Sequence, residues 1–404
     1  MFIFSKINPE NNMPGGIRSG HMGNETGEKA AGVKSAGCSI RNIEDILDER
    51  GEELEKRDIN ANKGTYGRLL IIAGSKGMAG AAYLCGLGAF KTGIGMVRYL
   101  GPEENRVILQ TLLPEAMYES IAYAEDKSSS HINSISNISN IGDCLSWADA
   151  LILGPGLSKS GEARNLMRQI FTVENADIIK SLRLAVIDAD ALNIIAEEGL
   201  DLSMLTEGSH SNVVITPHAA EMARLVNAFS GKNAVNVTDI KNDPEGCTSE
   251  FSRRFNVTVV LKDAKTTVAA AAVTTITTTT TNTTTAAASI AAEASAGAVV
   301  SGNAETEETG LSAEAALRSE IIRISSGSPA MAKAGSGDVL CGFIAGVSAV
   351  LSWDLRNSVP LAVYMHGRAG SMAAQKKGVH SILAGDIAEH ANEAFLSASA
   401  GKEA

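Results

Sequence analysis

The chain has 404 residues, of which 44% are hydrophobic and 20% are charged, a composition typical of a globular protein with a large buried core. Its formal net charge is −11 and no stripe of Lys and Arg occurs, which argues against nucleic-acid binding. The sequence contains neither the apolar run of a signal peptide nor an apolar stretch of about 20 residues. These features favour a cytoplasmic protein without a membrane partner.

The cysteines are scattered and odd in number, and no C-x-x-C pair occurs among Cys38, Cys85, Cys144, Cys247 and Cys341. This usage favours buried free thiols in a reducing compartment over disulfides or a zinc site. Residues 1–45 are predicted to be a disordered N-terminal extension. Residues 46–404 are predicted to form a single domain.

From residue 68 onward, short apolar runs alternate with segments of helical character. The runs are too uniformly apolar for a sheet with one wet face, so they predict parallel strands covered on both sides. These runs are RLLIIAG (68–74), MVRYLG (96–101), ALILGPG (150–156), LAVIDAD (184–190), NVVITPH (212–218) and VTVVLKD (257–263). Helices are predicted at 81–92, 161–171, 221–229, directly after Asp338, and at 359–377 and 384–395. The alternation predicts a doubly wound α/β fold with a mostly parallel central sheet.

Two segments have the composition of insertions. Residues 124–141 are rich in Ser and Asn and predict a surface loop. Residues from about 269 to 318 form a low-complexity tract of Ala, Thr, Ser and Glu, which predicts a flexible insertion.

A glycine-rich segment, Gly335-Ser336-Gly337-Asp338, runs directly into an apolar helix. Glycine allows close backbone approach to a ligand, and the free N–H groups at a helix start attract phosphate. A carboxylate is a poor phosphate ligand, but it can take the proton of a hydroxyl that meets a phosphoryl group. Asp338 is therefore either a simple helix cap or the base of a phosphoryl transfer to an alcohol.

Other polar and glycine residues follow the predicted strands, where open α/β sheets bind ligands. Asp188 is interpreted as structural, and Asp190 is left open between a cap and a water-mediated Mg²⁺ ligand. His218 is either a structural histidine or a ligand-binding residue at the mouth of the site. Lys262 is either exposed or a positive charge for phosphate. Tight packing explains the glycine turns at 74–82 and 154–157 as well as ligand binding does.

Together and in order, these residues resemble the NAD(P)H-hydrate dehydratase family, which has a ribokinase-like three-layer α/β/α fold. The segments that carry the resemblance cover about residues 63–268 and 325–395. They are KGTYGRLLIIAGSKGMAGAA (63–82), VRYLGPEEN (97–105), LLPEAM (112–117), LGPGL (153–157), VIDADALNI (186–194), TPHAAEMARL (216–225), LKDAKT (261–266), GSPAMAKAGSGDVLCGFIAG (327–346) and AVYMHGRAG (362–370).

The resemblance implies repair of hydrated NADH and NADPH by phosphorylation of the ring hydroxyl and elimination of phosphate. It implies ADP, or alternatively ATP, as the phosphoryl donor, Mg²⁺ as cofactor and a homotetramer as assembly. Asp338 would be the catalytic base, and Ala81, Gly156 and His218 would line the substrate pocket together with it. The nucleotide would be bound by Lys262, Asp263, Ala264, Lys265, Thr266 and Gly337. Glu221 would be an indirect Mg²⁺ ligand, and no residue is predicted to bind the metal directly.

Three departures from the family pattern bear on nucleotide affinity. Asp263 stands where the family usually has glycine, and its carboxylate is expected to oppose nucleotide phosphates. Ser328 stands in place of a common asparagine, and the 269–318 tract replaces a short hairpin.

The helix start is also expected to lower the pKa of Asp338 and so to weaken it as a base.

Two alternative functions remain open from the sequence. The first is a kinase of the same fold that acts on a vitamin precursor or a sugar. Such kinases tend to have Asn where this chain has His218, so the histidine favours the dehydratase. The second is a non-catalytic nucleotide-binding protein, which Asp263 and the insertion make conceivable.

Overall fold

The computed structural model describes residues 38–121, 138–207, 212–230, 234–275 and 316–399. Within these ranges the chain builds one ten-stranded sheet in the order β1-β10-β9-β8-β7-β6-β5-β2-β3-β4. The strands are β1 (Cys38–Ile40), β2 (Arg68–Ile72), β3 (Met96–Gly101), β4 (Met117–Ser120), β5 (Ala150–Leu153), β6 (Leu184–Ile187), β7 (Val213–Ile215), β8 (Thr258–Leu261), β9 (Thr266–Thr275) and β10 (Ala316–Ile324). The six predicted runs are all strands and pair in parallel, and β9 is antiparallel to both β8 and β10.

Strands β5, β6 and β7, and β2 after Arg68, are buried on both faces because they carry apolar side chains at every position. In β2, Leu69 and Ile71 belong to the core on one side of the sheet. Leu70 and Ile72 belong to the core on the other side. Since successive side chains point to opposite faces, the continuous apolar run requires a layer of helices on each side. The predicted three-layer α/β/α architecture is confirmed.

Helices connect the strands and cover the two faces. They are α1 (Ile43–Arg50), α2 (Ala79–Lys91), α3 (Arg106–Leu112), α4 (Ile141–Trp147), α5 (Gly161–Ile170), α6 (Val173–Ser181), α7 (Asp190–Glu198), α8 (Ala219–Ser230), α9 (Val237–Asn242), α10 (Pro244–Phe255), α11 (Ser336–Val350), α12 (Leu355–Lys377), α13 (Ala384–Glu389) and α14 (Ala391–Ser399). The helix predicted at 384–395 is two helices, and the one predicted at 359–377 begins earlier, at Leu355.

Helices α2 and α11 cross at very short range because glycines face each other. A Cβ on Gly342 would lie 2.3 Å from the carbonyl oxygen of Cys85, and one on Gly88 would lie 2.7 Å from that of Val339. Thr92 Oγ1 at the end of α2 donates to the carbonyl of Gly88 in α2 at 2.8 Å and lies 3.5 Å from the carbonyl oxygen of Gly342 in α11. This contact fixes α11, and with it the start of that helix, against the body of the protein.

The structure corrects the predicted limits of the N-terminal extension and of the 269–318 insertion. Residues 38–40 pair in parallel with β10, and α1 begins at Ile43, so the N-terminal extension predicted for 1–45 does not reach residue 45. Residues 269–275 lie in β9 and 316–318 in β10, because the two strands pair along their length. The rest of both predictions, and residues 124–137 of the predicted surface loop, fall outside the described ranges.

In the described ranges, every helix is too short or too polar to cross a lipid bilayer. Four cysteines are free and buried, namely Cys85, Cys144, Cys247 and Cys341, as the scattered spacing predicts. Strand β4 and the β9–β10 pair were not among the predicted runs.

Candidate active site

The glycine-rich segment forms the N-terminus of α11, as predicted. Gly335 takes a left-handed conformation with φ of 93° directly before the first helical residue, Ser336. The Ser336 hydroxyl donates to the carbonyl of Met331 at 2.7 Å, which closes the loop onto itself. The N–H of Ser336 donates to the carbonyl of Lys333 at 3.4 Å. Helix geometry leaves the N–H groups of Gly337 and Asp338 without intrahelical partners, so they are available to an anion.

Asp338 lies in the first turn of α11, and its side chain is largely buried. Burial raises its pKa to about 6, and the neighbouring Asp188 and Asp190 add to the increase while Lys262 opposes it. The predicted lowering of this pKa is therefore wrong, because desolvation of the carboxylate and the nearby carboxylates raise it. A carboxyl group with this pKa accepts a proton more readily than an ordinary aspartate at neutral pH.

Asp188 follows β6 and faces the start of α11. Its carboxylate accepts from Lys262 Nζ at 2.6 Å and from Cys341 Sγ at 3.4 Å. The side chain of Asp188 is 2% exposed and that of Lys262 is 22% exposed. Burial lowers the pKa of Lys262, but Asp188 and Glu221 more than offset this effect, so the pKa is raised and the lysine stays charged. The buried aspartate is thus paired rather than merely capping a helix.

The residue between the two aspartates is strained. Ala189 has φ of 54° and ψ of −118°, which is unusual for a residue with a side chain. On one side, Gly154 approaches so closely that a Cβ there would lie 1.9 Å from the carbonyl oxygen of Asp188. On the other side, Asp190 accepts from the backbone N–H of Ser158 at 2.8 Å. Asp190, left open by the sequence, therefore holds the loop after β5.

The two predicted pocket residues Ala81 and Gly156 are brought together. Gly156 has φ of 61°, and a Cβ on it would lie 2.8 Å from the Cβ of Ala81. The loop before α2 is tied to the same turn, because Ser75 N–H donates to the carbonyl of Gly156 at 2.6 Å. Asn105, which was assigned no role from the sequence, supports this loop through donation to the carbonyls of Gly74 and Ser75.

His218 lies between the ends of β7 and β8. Residues 218 and 262 form a parallel bridge, and Lys262 N–H donates to the carbonyl of Pro217 at 2.8 Å. The exposed His218 ring accepts through Nδ1 from the backbone N–H of Ala220 at 3.1 Å. Burial and the charge of Lys262 lower its pKa. The ring is therefore neutral at physiological pH, with Nδ1 as acceptor, and Nε2 lies 3.4 Å from Glu221 Oε1.

The residues predicted to hold the nucleotide occupy the turn between β8 and β9. Asp263, Ala264 and Lys265 are exposed, and Thr266 begins β9. Asp263 Oδ1 accepts from the backbone N–H of Ala264 at 2.8 Å, so one carboxylate oxygen is bound within the turn. Lys262 and Gly337 are brought together, since a Cβ on Gly337 would lie 3.4 Å from Lys262 Nζ.

Ser328, the other departure from the family pattern, begins a 3₁₀ turn at Pro329–Met331. Its hydroxyl accepts from the backbone N–H of Ala330 at 3.2 Å. Serine therefore performs the capping that asparagine would perform at such a position.

Sequence reasoning did not assign a role to His366 on α12. Its ring packs edge-on against Phe343 of α11, with ring centres 5.4 Å apart. Burial lowers its pKa to about 4, although a hydrogen bond with the backbone of Ser336 opposes this effect. The AVYMHGRAG segment carries part of the family resemblance, but only the fold shows that its histidine lies behind the start of α11.

The arrangement also bears on Mg²⁺. In the described part of the chain, no cluster of three or more His, Cys, Asp or Glu side chains could hold a metal directly. A Mg²⁺ ion carried by nucleotide phosphates and water needs only one or two protein carboxylates. The predicted indirect ligand Glu221 is buried; its Oε2 accepts from the backbone N–H of His218 at 2.9 Å, and its Oε1 lies 3.4 Å from His218 Nε2.

Solved structures with the same architecture place the fold in the ribokinase-like class. A ribokinase-like superfamily protein from Enterococcus faecalis superposes with a TM-score of 0.61 at 18% identity, covering 91% of this chain and 98% of that one. The ADP/ATP-dependent NAD(P)H-hydrate dehydratase from Bacillus subtilis, co-crystallised with ATP/Mg²⁺, gives a TM-score of 0.56 at 21% identity. It covers 87% of this chain and 97% of that one.

The sequence profile of the family described as NAD(P)H-hydrate dehydratase matches residues 69–303 and 314–393. The chain belongs to this family. The bifunctional NAD(P)H-hydrate repair enzyme Nnr of Moorella thermoacetica is 29% identical over 337 residues, which cover 83% of this chain and 50% of the relative. The ADP-dependent (S)-NAD(P)H-hydrate dehydratase of Listeria monocytogenes is 27% identical over 340 residues, covering 83% of this chain and 90% of the relative. The chain spans about half the length of the bifunctional relatives.

Proposed function

We propose that the protein is an ADP-dependent NAD(P)H-hydrate dehydratase that restores NADH and NADPH from their hydrated forms. The observation that carries the proposal is the position of Asp338, a largely buried carboxylate with a pKa of about 6 at the glycine-lined start of α11. Family membership and the names of the relatives support the same reaction.

In this reaction Asp338 takes the proton of the ring hydroxyl while the hydroxyl oxygen attacks the terminal phosphorus of the nucleotide. A new oxygen–phosphorus bond forms, and the bond to the departing nucleotide breaks. Phosphate then leaves with its oxygen as the carbon–oxygen bond breaks, a neighbouring ring carbon gives up a proton to water, and the double bond of the reduced nicotinamide returns. Phosphorylation is needed because hydroxide is a poor leaving group at neutral pH.

The remaining residues bind and orient. Ala81 and Gly156 form a wall of small residues against which a flat ring can lie. His218, neutral and half-exposed, offers a hydrogen bond to the dinucleotide. The turn 263–266 and Gly337 bind the adenine nucleotide. Glu221 would hold Mg²⁺ indirectly, and the ion would supply charge neutralisation on the phosphoryl group.

The decisive test is an assay of NADH recovery, by absorbance or fluorescence, from purified hydrated NADH with ADP or ATP. Asp338→Asn is expected to reduce kcat by about 10³-fold, since general-base catalysis typically contributes that much. Asn keeps the size of the side chain but cannot take a proton. Full activity in Asp338→Asn would remove the assigned base, and absence of NADH recovery in the wild type would remove the proposed reaction.

The same assay separates the other functions. A vitamin or sugar kinase would consume ATP with a small alcohol and leave hydrated NADH untouched. A non-catalytic nucleotide-binding protein would show a rise in melting temperature with ADP but no turnover. We expect turnover of hydrated NADH, with Lys265→Met as a variant that weakens nucleotide binding while it preserves the fold.

We further propose that the protein works in the cytoplasm as a homo-oligomer, and specifically as a tetramer. The free buried thiols suit a reducing compartment. Exposed apolar side chains on α3 and the edge strand β4 supply a surface for a second copy, namely Val107, Ile108, Leu112 and Met117. Light scattering after size-exclusion chromatography measures the mass, and a monomer at micromolar concentration would contradict the tetramer.

A further inference from the structure

The buried carboxylate of Asp188 joins three separate elements of the site. It follows β6, accepts from Lys262 Nζ at the end of β8, and accepts from Cys341 Sγ one turn into α11. Both of its oxygens therefore have partners on other elements. Its backbone is also fixed, because Asp188 N–H donates to the carbonyl of Leu153 at 3.0 Å. Few orientations remain open to this side chain or to the ammonium it holds.

The ammonium lies beneath the first turn of α11 rather than in the exposed turn that follows it. A Cβ on Gly337 would lie 3.4 Å from Lys262 Nζ and 3.6 Å from Asp188 Oδ2. Residue 337 directly precedes Asp338 in the same helical turn. The ion pair therefore lies at the point where the N–H groups of α11 and the Asp338 carboxylate meet a ligand.

This geometry separates two roles that a lysine can have in a phosphate site. An ammonium that is already paired with a buried carboxylate gains little on meeting a ground-state phosphate, because its charge is largely compensated. It has two further N–H donors, and they are held in a fixed direction. Fixed donors stabilise charge that develops on a transferring group without a cost of reorganisation. Such an effect appears in kcat and not in the affinity for nucleotide.

We propose that Asp188 is a positioning residue that holds the Lys262 ammonium at the start of α11, where the ammonium acts on the transferring phosphoryl group and not on nucleotide binding. The inference rests on the proposed function. It changes the role predicted for Lys262 from the sequence, since nucleotide affinity is then supplied by the exposed turn 263–266 and the helix start.

The test compares Lys262→Met, Asp188→Asn and the double variant with Lys265→Met, which removes the exposed lysine of the same turn. Lys262→Met is expected to lower kcat about 10²-fold and to change the ADP dissociation constant by less than about threefold. Asp188→Asn is expected to lower kcat with the same unchanged affinity. The kcat of the double variant should match that of Lys262→Met within about threefold, because both substitutions disrupt the same Asp188–Lys262 ion pair. Lys265→Met is expected to show the opposite pattern, with weaker ADP binding by about tenfold and kcat retained.

Calorimetric ADP titration is measured on every variant, so the inference is tested even without turnover. A loss of ADP affinity beyond about tenfold in Lys262→Met overturns it, as does a normal kcat in either single variant. An additive loss in the double variant overturns the positioning role of Asp188. Because removal of one partner leaves a buried charge unpaired, the double variant also serves where a single variant fails to fold. A wild type that binds ADP but does not recover NADH would refute the proposed function instead.

Discussion

Gly156 and Ala81 lie 75 residues apart in the sequence, but in the fold they meet so closely that no side chain fits between them. A Cβ on Gly156 would lie 2.8 Å from that of Ala81, and the glycine has φ of 61°. The contact is set by the adjacent positions of β2 and β5 in the sheet. It creates a smooth wall at the carboxyl ends of these strands.

Gly156→Ala is therefore expected to raise KM for hydrated NADH by at least about tenfold, because the added methyl group pushes Ala81 and strains the turn. The Michaelis constant for ADP should remain unchanged. Steady-state kinetics with each substrate varied in turn provide the measurement. Gly77→Ala is a matched control for backbone strain alone, since it also has positive φ but no atom within 4 Å of its Cβ position. Equal effects in both variants would argue against a pocket wall.

Activity is expected to fall below about pH 6, where Asp338 takes up a proton and can no longer act as a base. The sign follows from its raised pKa: the active carboxylate form predominates above pH 6 and disappears as the pH falls. A profile of kcat/KM for hydrated NADH between about pH 4.5 and pH 9 in the wild type measures this limb, because kcat/KM reports ionisations of the free enzyme. His218→Asn should retain the acidic limb, because the limb is assigned to Asp338. Loss of the limb in this variant would assign the limb to His218 instead.

Asp338→Asn is expected to stabilise the fold at pH 8. The folded state raises the pKa of Asp338 from 3.8 to about 6, so the charged form is disfavoured on folding; stability falls as the pH rises from 3.8 to about 6, and the loss is complete above that pH. Removing the charge should raise the free energy of unfolding by about 1–2 kcal/mol, after allowance for the part of the side chain that water still reaches. Urea denaturation at pH 8 and pH 4 measures it, and the gain should shrink at pH 4. A destabilised variant at pH 8 would contradict the burial argument.

His366 should make the fold sensitive to acid. Its pKa in the folded state is about 4, below the ordinary 6.5, so the unfolded chain binds the proton first as the pH falls. The stability that depends on the neutral ring is present above pH 6.5 and is lost progressively toward pH 4, by up to about 3 kcal/mol. His366→Gln cannot be protonated, so the difference in unfolding free energy between wild type and variant should change in that window. A difference that is independent of pH would contradict a buried neutral histidine.

The crossing of α2 and α11 leaves no room for a methyl group. Gly342→Ala would place a Cβ 2.3 Å from the carbonyl oxygen of Cys85 and is expected to destabilise the fold by about 1–3 kcal/mol. Gly161→Ala, at the start of α5, has no atom within 4 Å and should be neutral or slightly stabilising. Thermal or chemical unfolding of the pair measures the effect. Equal stability in the two variants would mean that the helices separate at little cost.

Strand positions in the parallel part of the sheet could be predicted because continuous apolar runs are a local property of the chain. The strands β4, β9 and β10 could not be predicted in this way. β9 consists mainly of Ala and Thr, and β10 mixes charged and apolar residues without strict alternation, so pairing with neighbouring strands rather than local pattern makes them strands. The N-terminal strand β1 likewise depends on β10, which is far away in the sequence.

The site divides in the same way. The Gly335–Asp338 segment, the histidine after β7 and the lysine after β8 could be identified from residue type and position at strand ends. The pKa of Asp338 could not, because it depends on burial and on Asp188, which the fold supplies from another strand. The partner of Lys262 was also not predictable, since ion pairing is set by distance in space.

The sequence by itself determined the six apolar strands of the parallel sheet, the glycine-lined helix start and the family, because all of these are written in local patterns along the chain. Only the tertiary structure decided that Lys262 faces Asp188, that Asp338 is desolvated and that Ala81 meets Gly156. The physical reason is that charge, burial and close contact depend on residues brought together by the sheet, and the separation of those residues along the chain carries no information about them.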